Sequence, residues 1–210
     1  TTWNLVTRVQ TCALPIFTPY YIKPQQRGIY LHYKSIATVS QLPVIMYNVP
    51  SRTSVNMKPE ITLQLAAEFD NIIGVKEASG NMEQIMDIIR NKPKDFLVIS
   101  GDDLLTAPLL GMGADGVISV VANAYPKQFS DMVTLGLKGE MKKAREIHYR
   151  LTEFTKSIFA DGSPSGIKAA LEIKGIIANN LRLPLVKIEK AHYNQLSGLM
   201  AEIEPVNQEK

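Results

Sequence analysis

A lysine lies at the end of one strongly apolar run. The run IIGVK closes at Lys76, and a short, nearly continuous apolar run is typical of a parallel strand that is covered on both faces. Burial lowers the pKa of a lysine because it disfavours the charged form, and a neutral amine can attack a carbonyl to form a Schiff base. The structural alternative is an ion pair with the adjacent Glu77, and strand position alone does not decide between the two.

Two more side chains that could do chemistry follow the apolar run VIMY. Tyr47 ends this run, and since neighbouring parallel strands lie roughly 4.8 Å apart, its phenol could relay protons at Lys76. Arg52 lies in the next loop, where a guanidinium is suited to bind a carboxylate through two hydrogen bonds. A packed aromatic ring and a solvated surface arginine are the ordinary alternatives. The pairing of Tyr47 with Lys76 favours the functional interpretation.

The elements that would position these residues are short apolar runs separated by longer amphipathic stretches. Pro59 and Pro126 suit first helical positions, and Asn81 with Gln84 resembles a capping box. Each gap between the runs leaves room for one crossover helix. The predicted strands lie at residues 44–49, 72–78, 96–100 and 116–121.

The strand pattern stops after residue 138, and three amphipathic stretches follow near residues 140–160, 164–178 and 188–203. Strand–helix units followed by helices indicate a (β/α) barrel, which takes about 250 residues when complete. We therefore expect an α/β fold: the C-terminal half of a (β/α)8 TIM barrel, about strands 4–8, over residues 17–138, and a C-terminal helical region over residues 139–210. Such a chain would be a fragment, since a half barrel leaves an edge strand and its inward face uncovered.

Residues 1–16 follow neither a helical nor a strand period. The string VQTCALPI, at residues 9–16, resembles the translation of a common sequencing adapter. We therefore expect residues 1–16 to be a non-native artefact, and an irregular N-terminal arm is the alternative.

The composition excludes several classes of function. Apolar residues make up 45% of the chain and charged residues 20%, which is ordinary globular usage and excludes wholesale disorder. A net charge of +3 is too small to indicate nucleic-acid binding, and no apolar run approaches the ~18 residues of a membrane span. One cysteine and three histidines disfavour a metal site. We expect a cytoplasmic protein in which His32, His148 and His192 lie in helices as structural or solvent-facing side chains.

Four motifs occur in an order and at a spacing that one enzyme family shares. They are YNVPSRT, GVKEASGN, SGDD and GVISVVAN, beginning at residues 47, 74, 100 and 116. Together they resemble the dihydrodipicolinate synthase (4-hydroxy-tetrahydrodipicolinate synthase) branch of the pyruvate-dependent aldolases. TPYY at residues 18–21 and the helical C-terminal region agree. The resemblance covers about residues 18–204 and implies a class I lyase of lysine and diaminopimelate biosynthesis.

The resemblance implies roles for the residues described above. Lys76 would form the Schiff base with pyruvate, so that no separate cofactor and no metal is needed. Tyr47 would be the proton donor and acceptor, and Arg52 would bind the carboxylate of L-aspartate 4-semialdehyde. The imine would become an enamine, form a carbon–carbon bond with the aldehyde, and leave the lysine after cyclisation.

The resemblance also implies residues around this centre. Gly101 and the main chain of Ile118 would line the pyruvate pocket. Tyr21 would cross a dimer interface to complete the proton relay of the neighbouring subunit. Tyr20 would contact lysine, the feedback inhibitor of regulated members. The complete enzyme would be a homotetramer.

The sequence departs from the family pattern chiefly in its missing first half. That half would carry a threonine pair of the proton relay and most of the lysine site. Ile22 stands where an asparagine is usual, and Ser54 stands where a glycine often follows the arginine. We therefore predict that the 210-residue chain lacks synthase activity, although the gene it came from encodes an active enzyme.

Three alternative functions remain. A sister aldolase, such as N-acetylneuraminate lyase or a 2-keto-3-deoxy-sugar aldolase, would keep Lys76 and Tyr47 but would usually lack Arg52. A phosphate-binding barrel would explain GADGVISV at residues 113–120, but the following VANAYP lacks the glycine and small hydroxyl residue that cradle a phosphate. A non-catalytic truncated subunit is the alternative of another class.

Overall fold

A parallel sheet forms the first compact unit of the structure, a computed structural model that describes residues 14–203. Each strand pairs in parallel with the next strand along the chain, as expected when crossover segments join them. The strands are β1 (Leu14–Phe17), β2 (Val44–Asn48), β3 (Ile72–Glu77), β4 (Leu97–Ser100) and β5 (Gly116–Val117). The predicted α/β fold with parallel strands is confirmed.

The start of the sheet differs from the prediction. Residues 14–16, which we predicted to be irregular or non-native, lie in β1 and pair with residues 44–46 of β2. The main chain can form such a ladder along a strand edge whatever the period of its side chains. The hydroxyl of Tyr33 also donates a hydrogen bond to the carbonyl of Ile16 at 2.7 Å. The remaining residues of the predicted artefact, 1–13, lie outside the described residues.

The last strand is shorter than predicted. We expected it to run to residue 121, but β5 ends at Val117. Ser119 Oγ accepts a hydrogen bond from the main-chain N–H of Ala122 at 2.9 Å, and the chain turns into a 3-10 helix, Val121–Asn123. The serine side chain thus favours a turn where apolar content alone suggested a strand.

Helices flank the strands of the first unit. They are α1 (Gln26–Val39), α2 (Pro50–Thr53), α3 (Pro59–Glu68), α4 (Met82–Asn91) and α5 (Thr106–Gly111). Pro59 occupies the first helical position as predicted, where its missing N–H costs no hydrogen bond. Asn81 Oδ1 accepts a hydrogen bond from Gln84 N at 3.1 Å, which confirms the predicted cap of α4.

Two neighbouring rows of side chains lie on opposite faces of the sheet. Met46, Val75 and Val98 are neighbours in register and are buried in a core with side chains of α1, α3 and α4. Adjacent residues of a strand point to opposite faces, so the next row, with Tyr47 and Lys76, lies on the other face. Burial of the first row therefore fixes where the second row lies.

A second compact unit begins at Ser119 and is helical. Its α-helices are α6 (Pro126–Leu137), α7 (Met141–Ala160), α8 (Ser165–Ile173) and α9 (Lys190–Ile203). We predicted the boundary after residue 138, but the chain divides between Ile118 and Ser119. The reason is that α6, which we assigned to the barrel, packs against α7.

The helix α8 ends earlier than the predicted residue 178. Gly175 has φ 69°, and its N–H donates to the carbonyl of Glu172 at 2.8 Å. The N–H of Ile176 donates to the carbonyl of Leu171 at 2.9 Å. These two hydrogen bonds form a Schellman motif, in which glycine adopts the left-handed conformation without strain and the helix stops.

All three histidines lie in helices, as predicted: His32 in α1, His148 in α7 and His192 in α9. His192 Nδ1 lies 2.7 Å from Asp161 Oδ2, and its Nε2 lies 3.0 Å from Ser157 Oγ. These contacts join α9 to the end of α7, so His192 is structural.

Within residues 14–203, no helix is both long and apolar enough to cross a membrane.

Candidate active site

Lys76 and Tyr47 face each other across neighbouring strands. The two residues are partners in the register of β2 and β3, and Lys76 Nζ lies 4.1 Å from the centroid of the Tyr47 ring. The structure therefore brings together the two side chains that the ends of the apolar runs predicted. An amine and a phenol at the same strand ends can exchange protons with one bound substrate.

The environment of Lys76 favours its neutral form. Partial burial lowers the pKa of the amine, the negative charge of the buried Asp103 opposes this shift, and the positive charge of Arg52 adds to it. The lowered pKa raises the fraction of neutral amine near pH 7, and only the neutral amine attacks a carbonyl. The geometry thus suits Schiff-base formation.

Glu77, the partner suggested for the structural ion pair of Lys76, does not face the lysine. The two residues are adjacent in β3, so their side chains lie on opposite faces of the sheet. The carboxylate of Glu77 instead accepts hydrogen bonds from Asn48, Ser79 and Gln84.

The phenol of Tyr47 is held protonated. Partial burial raises its pKa above the ordinary value, and the nearby positive charge of Arg52 opposes that rise. A phenol with a raised pKa remains a proton donor at neutral pH. The shifts in pKa thus move the Lys76 amine towards its neutral form and keep the Tyr47 phenol a proton donor.

Arg52 is placed by the short helix α2. Pro50 occupies the first turn of this helix, and Ser54 ends it in the left-handed conformation with φ 58°. Glycine adopts that conformation without strain, which explains physically why glycine suits this position. Thr53 is buried, and its Oγ1 donates to the carbonyl of Val55 at 3.0 Å, so the segment is fixed while the Arg52 side chain stays exposed.

Gly101 leaves room for the lysine side chain. Its N–H donates to the carbonyl of Glu77 at 2.8 Å, which holds it beside the end of β3. A Cβ at this position would lie 3.1 Å from Lys76 Cε and 2.8 Å from Ala78 Cβ. Ile118 follows β5 at the same edge, where its N–H donates to the carbonyl of Ser100 at 3.0 Å. Gly101 thus lies at the carboxyl end of β4, the neighbour of β3, and Ile118 lies at the carboxyl end of β5, one strand further along the sheet.

The two tyrosines after β1 lie at this edge but face solvent. The side chain of Tyr20 is 64% exposed and that of Tyr21 is 87% exposed. The Tyr20 ring centroid lies 6.4 Å from that of Phe17. Within residues 14–203, no recorded hydrogen bond or ring contact joins either tyrosine to Lys76 or Tyr47, so the structure does not bring them into the pair.

The comparison with protein families decides the affiliation of the chain. The sequence model of the Dihydrodipicolinate synthetase family matches residues 6–203. The chain belongs to this family. The family resemblance predicted from the four motifs is thereby confirmed.

Individual relatives of the dihydrodipicolinate synthetase family agree in sequence and fold. A 4-hydroxy-tetrahydrodipicolinate synthase from Phocaeicola vulgatus is 51% identical over 191 residues, covering 91% of this chain and 64% of the relative. A solved dihydrodipicolinate synthase from Cyanidioschyzon merolae with lysine bound has a TM-score of 0.90 and 35% identity, covering 96% of this chain and 68% of that chain. A chloride-inhibited dihydrodipicolinate synthase from Acinetobacter baumannii complexed with pyruvate has a TM-score of 0.90 and 33% identity. This match covers 96% of this chain and 69% of that chain. The chain thus spans less than two thirds of the length of the P. vulgatus relative.

The sequence analysis missed two buried carboxylates beside the family's motif residues. Asp103 is 4% exposed, and its charge acts on Lys76. The SGDD motif was the available signal, since an acidic residue just after a strand end lies near the other strand ends. Glu77 was considered only as a partner of Lys76, although strand alternation places it on the other face.

Within residues 14–203, no group of His, Cys, Asp and Glu side chains is arranged to hold a metal ion.

Proposed function

We propose that this chain carries the Schiff-base site of a 4-hydroxy-tetrahydrodipicolinate synthase, which condenses pyruvate with L-aspartate 4-semialdehyde in lysine and diaminopimelate biosynthesis. The observation that carries the proposal is the amine of Lys76, with its lowered pKa, next to the ring of Tyr47. The P. vulgatus relative has this name, and the A. baumannii relative is complexed with pyruvate. Pyruvate bound covalently at Lys76 takes the place of a cofactor.

The proposed reaction uses each side chain at a defined atom. Lys76 Nζ attacks the keto carbon of pyruvate, and loss of water gives the imine. Loss of a methyl proton gives the enamine, whose carbon attacks the aldehyde and forms the new carbon–carbon bond. Tyr47 donates and accepts the protons, and Arg52 binds the carboxylate of the aldehyde substrate. The amino group of the semialdehyde then attacks the imine carbon, which closes the ring and releases Lys76.

We also propose the surroundings of this site. Gly101 and the main chain of Ile118 line the pyruvate pocket. Tyr21 completes the proton relay of a neighbouring subunit in a homotetramer, which fits its 87% exposure. Tyr20 contacts lysine as an effector; the C. merolae relative, which has lysine bound, supports an effector site in such a protein. The enzyme acts in the cytoplasm.

We further propose that the sheet corresponds to about strands 4–8 of a (β/α)8 barrel and that the chain alone does not turn over. The row that carries Lys76 supports this proposal. Phe17, the register partner of Tyr47, is 51% exposed, so the face on which the chemistry would occur is partly open to water. Water competes for imines and weakens electrostatic interactions in a site.

Trapping with borohydride tests the proposed Schiff base. We expect a reduced pyruvate adduct at Lys76, located by peptide mapping and mass spectrometry. The rate of trapping should rise with pH through a midpoint below 10.5, the ordinary lysine pKa, because burial lowers the pKa of Lys76.

Two variants make this test specific. Lys76→Arg should abolish the adduct, whereas Lys94→Arg, at an exposed lysine of the same unit, should leave it unchanged. A folded chain that gives no adduct, or gives one only at other lysines, would refute the proposed function.

A further inference from the structure

A buried carboxylate lies directly behind the reactive lysine. Glu77 follows Lys76 in β3, is 1% exposed and points to the opposite face of the sheet. Asn48 Nδ2 donates to both of its oxygens, at 3.2 and 3.1 Å. The main-chain N–H of Ser79 donates at 2.7 Å, and Gln84 Nε2 donates at 3.1 Å. All of these donors are neutral and suit an acceptor such as a carboxylate. Burial raises the pKa of Glu77, and the hydrogen bonds from Asn48, Ser79 and Gln84 oppose that rise.

The donors around Glu77 belong to the segments that hold the candidate site residues. Asn48 follows Tyr47 in β2, and Glu77 itself follows Lys76. Asn48 Oδ1 accepts a hydrogen bond from the main-chain N–H of Met57 at 3.0 Å. Met57 lies just after the segment with Arg52, so the Asn48 side chain joins that segment to both strand ends.

The first turn of α4 completes this cluster. Gln84 lies in that turn and donates to Glu77. Its Oε1 also accepts a hydrogen bond from Asn56 Nδ2 at 2.8 Å, and Asn56 precedes Met57. One carboxylate therefore lies where the ends of two strands, the segment after Arg52 and the start of a helix meet.

We propose that Glu77 is a positioning residue, which fixes the ends of β2 and β3 and the Arg52 segment so that Lys76, Tyr47 and Arg52 keep their relative places during imine formation. This proposal rests on the proposed function. A buried carboxylate costs free energy unless donors surround it. Here Asn48 and Ser79 donate to it from the ends of β2 and β3, and the Arg52 segment is joined to it through Asn48. Glu77 lies on the face away from Lys76, so it acts through the backbone and not by contact with the substrate. A displacement of a reacting group by about 1 Å in such a site can lower the rate by up to about 100-fold.

The substitution Glu77→Gln tests the proposal, with Glu83→Gln as the matched control. The first variant replaces an acceptor by an amide N–H2 that faces the donors of Asn48 and Gln84. The control makes the same change of charge at an exposed residue next to Gln84. We expect the maximal rate of borohydride-trapped adduct at Lys76 to fall about tenfold or more in Glu77→Gln. The half-saturating pyruvate concentration should change less than about twofold, because Glu77 does not contact the substrate. Glu83→Gln should behave as the unsubstituted chain.

Two further variants separate positioning from loss of folding. Adding Asn48→Asp to Glu77→Gln exchanges donor and acceptor, and we expect it to recover most of the lost rate. Gln84→Met removes the side-chain hydrogen bonds of Gln84 to Glu77, Asn56 and Met57 without a change of charge, and we expect an intermediate loss of about threefold. Thermal unfolding is measured for each variant. The proposal is overturned if the folded Glu77→Gln variant keeps the full rate, or if the lost rate only follows the unfolded fraction.

Labelling without pyruvate keeps this test independent of the proposed function. Lys76 and the exposed Lys94 are acetylated with limiting acetic anhydride across a pH series, and mass spectrometry gives the apparent pKa of each amine. Looser strand ends would admit water to Lys76 and reduce the burial that lowers its pKa. We therefore expect the labelling midpoint of Lys76 to move upward in Glu77→Gln and that of Lys94 to stay unchanged. An unchanged Lys76 midpoint in a folded variant overturns the positioning role. If the unsubstituted chain forms no pyruvate adduct, the proposed function fails while the labelling still decides the role of Glu77.

Discussion

Lys76 and Tyr47 have pKa values that the same cause shifts in opposite directions. Partial burial disfavours charge, so it lowers the pKa of the amine and raises that of the phenol. Both shifts favour the neutral form of each group. Arg52 lowers both pKa values, which helps the amine to lose its proton and keeps the phenol from becoming too weak an acid. The charge of Arg52 thus lowers the pKa of both residues of the pair.

Gly101 offers a test of how tightly Lys76 is enclosed. In Gly101→Ala the new Cβ would lie 3.1 Å from Lys76 Cε and 2.8 Å from Ala78 Cβ, so one of them must move. We expect a loss of about 1–3 kcal/mol in the free energy of unfolding and about a tenfold loss in pyruvate trapping. Denaturant unfolding and borohydride trapping measure the two effects.

Gly116→Ala is the matched control for this substitution. It adds a methyl group in the adjacent strand β5, where a Cβ would meet nothing within 4 Å. Both measured quantities should stay close to those of the unsubstituted chain. Equal effects of the two substitutions would show that the space beside Lys76 is not limiting.

The pairing of Lys76 with Tyr47 could be predicted because both residues end apolar runs, and the carboxyl ends of parallel strands share one edge. The same alternation of side chains could have excluded the ion pair with Glu77, since neighbours in a strand face opposite ways. The donors of Glu77 could not be predicted. Asn48 lies 29 residues before Glu77 in the sequence, and only the register of β2 with β3 makes the two residues partners.

Among the elements, the starts of the helices were more predictable than their ends. Pro59 and Asn81 begin their helices as their chemistry predicts. The early end of α8 depends on Gly175 in the left-handed conformation, a stop signal that the apolar period of the stretch obscured. The packing of α6 on α7 was also beyond prediction, because an apolar stripe does not specify whether a sheet or a helix will cover it.

His192 supplies a prediction about the contact between α7 and α9. The substitution His192→Ala removes the hydrogen bonds to Asp161 and Ser157. We expect the free energy of unfolding to fall by about 1–3 kcal/mol, as measured by urea unfolding. His148→Ala, at a half-buried histidine of the same unit, should lower the free energy of unfolding by less. A loss at position 192 no greater than that at 148 would contradict the structural role.

The matched part of the chain covers 64% of the length of its P. vulgatus relative, and this bears on the proposal that the chain alone does not turn over. We expect the 210-residue chain to form the imine without consuming both substrates. Joining residues 17–210 to the preceding part of the P. vulgatus relative should give turnover, because that part would cover the open face of the sheet. Consumption of pyruvate and semialdehyde is the measurement.

The control for this experiment is the joined chain with Lys76→Ala, which should be inactive. Turnover by the 210-residue chain alone, at the rate of the joined chain, would contradict the expectation of inactivity. Inactivity of both chains, with the joined chain folded, would count against the proposed synthase function itself.

The two rows of the sheet have a consequence for how such a site can change over evolutionary time. Met46 and Val75 lie in the core, and Tyr47 and Lys76 lie one residue further along the same strands. A substitution in one row reaches the other only through the backbone. New chemistry can therefore be explored on one face while selection for folding acts on the other, and a mutational scan should separate abundance from reactivity at single-residue resolution along β2 and β3.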